Sequence, residues 1–380
     1  MDAAPVKIGK KKYFESELVA YLSATGEAMR SPDGRLTVYV ARYYGFCHGV
    51  IRAIRMALDN SERFAGRRIY LLGQIIHNPY VNDHLRQRSV TMLDIPWEEH
   101  LARISVQDVV IVPAFGVSAE TMRRLAEIGC TVVDTTCGEV MSVWKRIGRY
   151  NTTGFTTIIH GKVGHEETIA TSSRAARYLM VRDTKEAQMV ANYIRSGDSA
   201  LASALLAHFA GGAYAAGFDP ARDLQHVGMA AQTTMYSSEF QKVSGTIHAA
   251  IVDRYGDAAS EHFQELDTIC SATQERQDAV DNLARRSDVV IVVGGYNSSN
   301  TTNLAKVAGQ YAPAYHVQGA GHVSRETIRH QPYGQKGEVT TTGWLPDKPA
   351  LTIGLTSGAS TPDSVLEEVL REVLDLRERG

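Results

Sequence analysis

Thr131-Val132-Val133-Asp134-Thr135-Thr136-Cys137-Gly138-Glu139-Val140 sets the pattern of this chain. Thr131–Asp134 reads as a short apolar strand that runs into a turn at Cys137, and Val140–Tyr150 reads as a helix. The same succession recurs in both directions. Strand Leu36–Ala41 precedes helix Val50–Leu58. Arg68–Leu72 leads through Gly73–Asn78 into a helix from Pro79. Asp108–Val112 leads through Pro113–Ser118 into Ala119–Ile128. Thr156–His160 leads through Gly161–Gly164 into a helix from His165. Val289–Gly294 leads through Tyr296–Asn300 into Thr302–Tyr311, and Leu351–Leu355 through Thr356–Thr361 into Pro362–Leu376. Strands alternating with helices in this way predict α/β units with parallel sheets. Ligands in such folds sit at the carboxyl ends of the strands, which are these turns.

The composition narrows the function. The chain has 380 residues and a net charge of −2, with 44% hydrophobic and 22% charged residues. That is a globular composition of two or three domains' length, without the basic excess expected of a nucleic-acid binder. Four cysteines in this length exclude a disulfide scaffold and suit a reducing compartment. No apolar run is long enough to span a membrane. The lysines at 7, 10, 11 and 12 are not followed by an apolar segment, so a secretory signal is not expected and a cytoplasmic protein is. Residues 1–35 read as a polar lead-in with one short helix, Tyr13–Leu22. Ser196–Asp223, rich in Ala and Gly, and Lys336–Pro349 read as surface elaborations.

Three cysteines share a context: Gly45-Phe46-Cys47-His48-Gly49-Val50, Thr135-Thr136-Cys137-Gly138-Glu139-Val140 and Thr268-Ile269-Cys270-Ser271-Ala272-Thr273. Each precedes a helical pattern, and a helix N-terminus favours the thiolate, the form that binds metal. Three α/β units around an axis can each contribute one thiolate to a common centre. Alternatively, small cysteines simply pack at tight turns. No Cys-x-x-Cys pair occurs, which disfavours a zinc ribbon or a thioredoxin-type site, and Cys130 reads as structural. A second set of turns carries neutral donors: Asn297-Ser298-Ser299-Asn300, Ser357-Gly358-Ala359-Ser360-Thr361-Pro362-Asp363, His77, His165 and Gln232-Thr233-Thr234. Singly, each is explained by helix capping. Jointly they suit a phosphate or diphosphate. Glu167 lies two residues after His165, where proton delivery would place a carboxyl of raised pKa. The plain alternative, a first-turn Glu complementing the helix dipole, applies equally to Glu166.

These motifs resemble the 4-hydroxy-3-methylbut-2-enyl diphosphate reductase family, in its longer plant and cyanobacterial branch. The resemblance is carried by Gly45-Phe46-Cys47, Ile75-Ile76-His77-Asn78-Pro79, Val112-Pro113-Ala114-Phe115-Gly116, Val133-Asp134-Thr135-Thr136-Cys137, Gly164-His165-Glu166-Glu167-Thr168, Gln232-Thr233-Thr234-Met235, Ala272-Thr273-Gln274-Glu275-Arg276-Gln277, Tyr296-Asn297-Ser298-Ser299-Asn300-Thr301 and the Ser357–Asp363 turn, in family order. It implies a trefoil of three α/β units, mostly parallel, around a central 4Fe–4S cluster with one open iron, held by Cys47, Cys137 and Cys270. It further implies a diphosphate site at His77, His165, Ser298, Ser299, Asn300 and Ser360, with Glu167 as proton donor and Thr233 beside it. The implied units are 36–136, 137–266 (with the insertion near 196–223) and 267–380, after the extension 1–35.

The implied reaction is the two-electron, two-proton reductive dehydroxylation that closes the methylerythritol phosphate route to isopentenyl and dimethylallyl diphosphates. The electron donor would be of ferredoxin or flavodoxin type, with no nucleic-acid or membrane partner. Three departures stand out: Phe115 where the short bacterial branch has a third His, Gly138 where Pro is usual, and His48 where Ala or Trp is usual. They leave open a paralogue that reduces a related allylic substrate. A non-catalytic zinc- or cluster-bearing sensor is the alternative from another class.

Overall fold

A computed structural model describes residues 14–94, 96–265 and 268–376. They form two compact units, one from 14–46, 279–296 and 304–376, the other from 47–278 and 297–303.

The second unit holds two four-stranded sheets, parallel throughout. One is ordered Val90–Leu93, Ile69–Leu72, Val109–Val112, Thr131–Asp134. The other is ordered Phe263–Glu265, Val227–Ala231, Thr156–His160, Tyr178–Val181. Three of their four central strands, Val109–Val112, Thr156–His160 and Val227–Ala231, are buried at every position, and the fourth, Ile69–Leu72, leaves only Tyr70 half-buried. Continuous burial of this kind, apolar throughout in Val109–Val112, is what a parallel sheet needs when helices cover both faces. Helices end cleanly where glycine supplies the left-handed conformation, as at Gly129 (φ 73°) before Thr131–Asp134. Asn78 caps the helix Pro79–Arg86 by accepting from the Val81 N–H (3.3 Å), with proline at the first helical position.

The first unit holds a five-stranded sheet ordered Met29–Arg30, Leu36–Val40, Leu351–Ser357, Val289–Val293, Ala314–Val317. Only the edge strand Met29–Arg30 is antiparallel. The helix Asp363–Asp375 packs Leu366, Val369, Leu370 and Val373 into its core.

The α/β class with mostly parallel sheets is therefore present, with some differences from the sequence reading. Leu36–Val40, expected to open the first unit, pairs with Leu351–Leu355 near the far end of the chain. Lys336–Pro349 is more than a loop. Val339–Thr342 pairs antiparallel with Thr327–His330, and Trp344 is buried. The Ser196–Asp223 insertion forms helices Ser199–His208 and Pro220–Asp223 and buries Leu205, Phe209 and Phe218 in the core over the second sheet. The early helix is Glu17–Thr25, capped by Ser16, and Tyr13 lies outside the described residues. No helix among the described residues is long and apolar enough to cross a membrane.

Candidate active site

Cys47 and Cys137 are the N-caps of helices His48–Arg63 and Gly138–Thr153, and Cys270 immediately precedes Ser271–Ala284. All three are free and partly buried. They converge within the second unit. A Cβ added to Gly49 would collide with Cys137 Sγ and lie 4.0 Å from Cys47 Sγ, so glycine at this first helical turn leaves room for both sulfurs. The charge on Cys47 raises the thiol pKa of both Cys137 and Cys270. Burial is the larger cause. It pushes Cys137 up against two backbone N–H bonds, and Cys270 up to about 11 against its contact with the Thr273 hydroxyl (3.1 Å). The helix ends alone therefore do not make these two into thiolates, contrary to the sequence expectation. Desolvation and mutual repulsion win. A polycationic centre would reverse that balance, because metal coordination deprotonates a thiol outright. Three convergent thiols, two of them held from ionising by burial until cations arrive, fit a three-thiolate cluster site.

Thr233 joins this centre to Glu167. Its N–H donates to Glu167 Oε1 at 2.6 Å, its hydroxyl also bonds the carboxyl, and its carbonyl accepts from the Cys270 N–H at 3.3 Å. Glu167 lies in the first turn of helix Glu166–Ser172 with its side chain buried. Burial pushes its pKa up to about 7, although the Thr233 bonds oppose the shift. A group so placed holds a proton near neutral pH. Gln232 fixes the frame by accepting from the Lys162 N–H (3.2 Å) and the Thr168 hydroxyl (3.3 Å) while donating to Thr234 Oγ1 (3.0 Å).

The polar end of the site is built from His77, His165 and the 297–300 turn. His77 follows the strand Ile69–Leu72, and His165 caps the Glu166 helix by accepting from the Glu167 N–H at 3.1 Å. The Asn297 amide lies 3.3 Å from His77 Nδ1 and donates to Gln74. With both Nδ1 atoms accepting, the two imidazoles carry their protons on Nε2 and act as donors. Burial, and His77 next to it, push His165 down, so it is neutral. Phe115 stacks on His77 (4.2 Å between centroids, 19°) and meets His165 edge-on at 5.9 Å. Where a third donor would stand, this chain has an aromatic plate that fixes the other two rings. Ser298, Ser299 and Asn300 are buried, and Ser299 Oγ has no hydrogen-bond partner. A buried hydroxyl left in this way at a helix start is free to bond an anion.

Ten of the eleven predicted site residues thus belong to one unit. Ser360 lies in the other, buried in the turn between Leu351–Ser357 and Asp363–Asp375. Sequence reasoning left out two contributors. Asn297 was visible as the first residue of its turn but not as a His77 partner. Glu166 was read as a dipole-complementing acid, yet its Oε2 lies 3.4 Å from His77 Nε2. Ligand atoms of His77, His165 and Glu166 lie within 4.8 Å of one another, a spacing a cation can use. Here, however, His165 Nδ1 is taken by the Glu167 N–H and the carboxylate by His77. Of the departures, His48 is exposed, and a Cβ on Gly138 would meet nothing within 4 Å, so packing requires neither residue.

Fold and site together define an α/β enzyme with three convergent thiols next to a group of buried imidazoles, hydroxyls and amides. The LytB protein family matches residues 38–374. A protein of Gloeobacter violaceus named 4-hydroxy-3-methylbut-2-enyl diphosphate reductase is 45% identical, covering 99% of this chain and 91% of its own length. One of the same name from Thermosynechococcus vestitus is 44% identical, over 96% of this chain and 90% of its own. A solved structure of (E)-4-hydroxy-3-methyl-but-2-enyl diphosphate reductase aligns over 89% of this chain and 99% of its own with a TM-score of 0.53 and 26% identity. A Plasmodium falciparum reductase structure shares the fold, with a TM-score of 0.65 at 20% identity over 88% of this chain and 86% of its own. The chain belongs to the LytB family.

Proposed function

We propose that this chain is a 4-hydroxy-3-methylbut-2-enyl diphosphate reductase, converting that allylic diphosphate to isopentenyl and dimethylallyl diphosphates at the end of the methylerythritol phosphate route. Cys47, Cys137 and Cys270 would hold a 4Fe–4S cluster, leaving one iron without a protein ligand. When bound, such a cluster supplies electrons singly and a Lewis-acidic iron for the substrate oxygen.

The remaining work falls to the chain's own residues. His77, His165, Ser298, Ser299 and Asn300 bind the diphosphate through neutral donors, which is why the composition needs no basic excess. Fixing the anion sets the position of the allylic end, and well-oriented binding removes several kcal/mol from such a barrier, about 7 or more at its limit. Phe115 orients the two imidazoles. Thr233 occupies Glu167 Oε1, so the carboxylic proton sits on Oε2 and is delivered from there. Burial of Glu167 excludes water, which keeps that proton in place.

The observation that carries this reading is the buried Glu167 with pKa about 7, bridged by Thr233 to the cysteine centre. The electron donor would be a small one-electron protein such as a ferredoxin or flavodoxin, in a reducing compartment such as the cytoplasm. Anaerobic purification with iron and sulfide analysis, followed by turnover on the allylic diphosphate, tests the proposal. A cluster-bearing, active protein is expected. A colourless protein without labile sulfide after anaerobic reconstitution would overturn it. A cluster that turns over only a different allylic substrate would replace this substrate and keep the chemistry.

A further inference from the structure

The diphosphate end of the site contains a carboxylate. Glu166 Oε2 lies 3.4 Å from His77 Nε2 and 3.9 Å from His165 Nδ1, with its side chain 22% exposed. Nε2 of His77 is the nitrogen that carries the proton, because Nδ1 faces the Asn297 amide. Burial alone would raise the Glu166 pKa. The His77 contact and the neighbouring imidazoles outweigh it and hold the carboxyl below its usual range, so it is an anion. A diphosphate bound at His77 therefore meets a like charge sitting on its donor.

We propose that Glu166 is a place-holder for the diphosphate. In this structure its carboxylate faces His77 Nε2 at 3.4 Å, a charge contact rather than a full hydrogen bond, and an incoming diphosphate must displace it. The inference rests on His77 being a diphosphate ligand, as proposed above. A buried donor left empty costs about 1–3 kcal/mol, and the charge contact of the place-holder offsets part of that cost in the free site. The same exchange lowers affinity for every diphosphate, product as well as substrate. That suits a reaction in which both carry the diphosphate and the product must leave. Glu166 is partly exposed and heads its helix, so it can turn toward solvent when displaced.

The test is calorimetric titration of the anaerobic, cluster-loaded protein with inorganic diphosphate. Glu166→Gln keeps the shape and removes the charge, and is expected to bind about tenfold tighter, while His77→Asn binds about tenfold weaker. Glu166→Asp draws the carboxylate back from His77 by one methylene. It is expected to bind with an affinity between wild type and Glu166→Gln, and it stands in should the amide variant fail to fold. A purely structural Glu166 would give unchanged or weaker binding in its variants. That result alongside a weakened His77→Asn overturns the place-holder and leaves the anion site standing. Unchanged binding in His77→Asn instead overturns the anion-site reading on which the inference rests.

Discussion

Replacing Glu167 with Gln separates stability from activity, with opposite signs. In the folded protein burial raises this carboxyl from 4.5 to about 7. Below about pH 4.5 it is protonated in both folded and unfolded states. As pH rises through about 7 the folded protein must ionise a fully buried group, and the stability present at low pH is lost. The interval corresponds to about 3 kcal/mol at its upper end. Glu167→Gln keeps an acceptor for the Thr233 N–H and removes the ionisation. The variant is therefore expected to be more stable than wild type above pH 7, by up to that amount, and equal to it near pH 4.5. Activity moves the other way, because amide nitrogen delivers no proton. Loss of a positioned acid of this kind costs about 10²–10⁴ in turnover.

The wild-type pH profile should fall above about pH 7 as Oε2 loses its proton, and that limb should be missing in the residual activity of the variant. Steady-state turnover between pH 6 and 9 and denaturant midpoints over the same range, both under anaerobic conditions, measure the two effects. A Glu167→Gln variant that keeps more than a tenth of wild-type turnover would refute the reasoning. So would a wild-type stability that does not decline between pH 5 and 8.

Other perturbations follow from the same geometry. Gly49→Ala places a methyl against Cys137 Sγ, so iron content after reconstitution should drop several-fold, and Cys47→Ser should abolish the cluster altogether. Ser299→Ala removes a buried hydroxyl that has no protein partner. It should leave the thermal midpoint within a degree or two and raise the KM for the diphosphate substrate about tenfold, since a hydrogen bond to a charged group is worth about 1.5–3 kcal/mol. Gly116 has φ 76°, and a Cβ there would lie 2.5 Å from the Trp144 ring. Gly116→Ala should therefore destabilise by about 1–3 kcal/mol in denaturant titrations and, by shifting Phe115, raise KM more than it lowers kcat.

Much of the architecture was legible because parallel sheets write themselves into sequence as apolar runs followed by turns. Val109–Val112, Thr156–His160 and Val289–Val293 fall where those runs lie. Partner choice was not legible. Nothing in Leu36–Val40 says that it pairs with Leu351–Leu355, since register depends on contacts hundreds of residues away. The hairpin Thr327–His330 and Val339–Thr342 was hidden for a related reason. Val339-Thr340-Thr341-Thr342 has one apolar residue and is largely exposed, so it carries no core-facing pattern.

At the site, the three cysteine turns and the His-Glu-Glu stretch stood out by residue type and context. What Cys137 and Cys270 experience did not, because burial is a property of the folded neighbourhood and here outweighs the helix ends. The two acids at 166 and 167 are alike in sequence and differ in the structure. Burial raises the pKa of Glu167 against its Thr233 bonds, whereas Glu166 faces two imidazoles, which lower it.

The central claim is that Cys47, Cys137 and Cys270 form one centre that leaves a coordination position open to substrate next to Glu167. Anaerobic Mössbauer spectroscopy of the iron-57-loaded protein, with and without the allylic diphosphate, addresses it directly. One iron site distinct from the other three, whose signal changes when substrate is added, is the predicted result. Four equivalent sites indifferent to substrate, or no cluster at all, would contradict it.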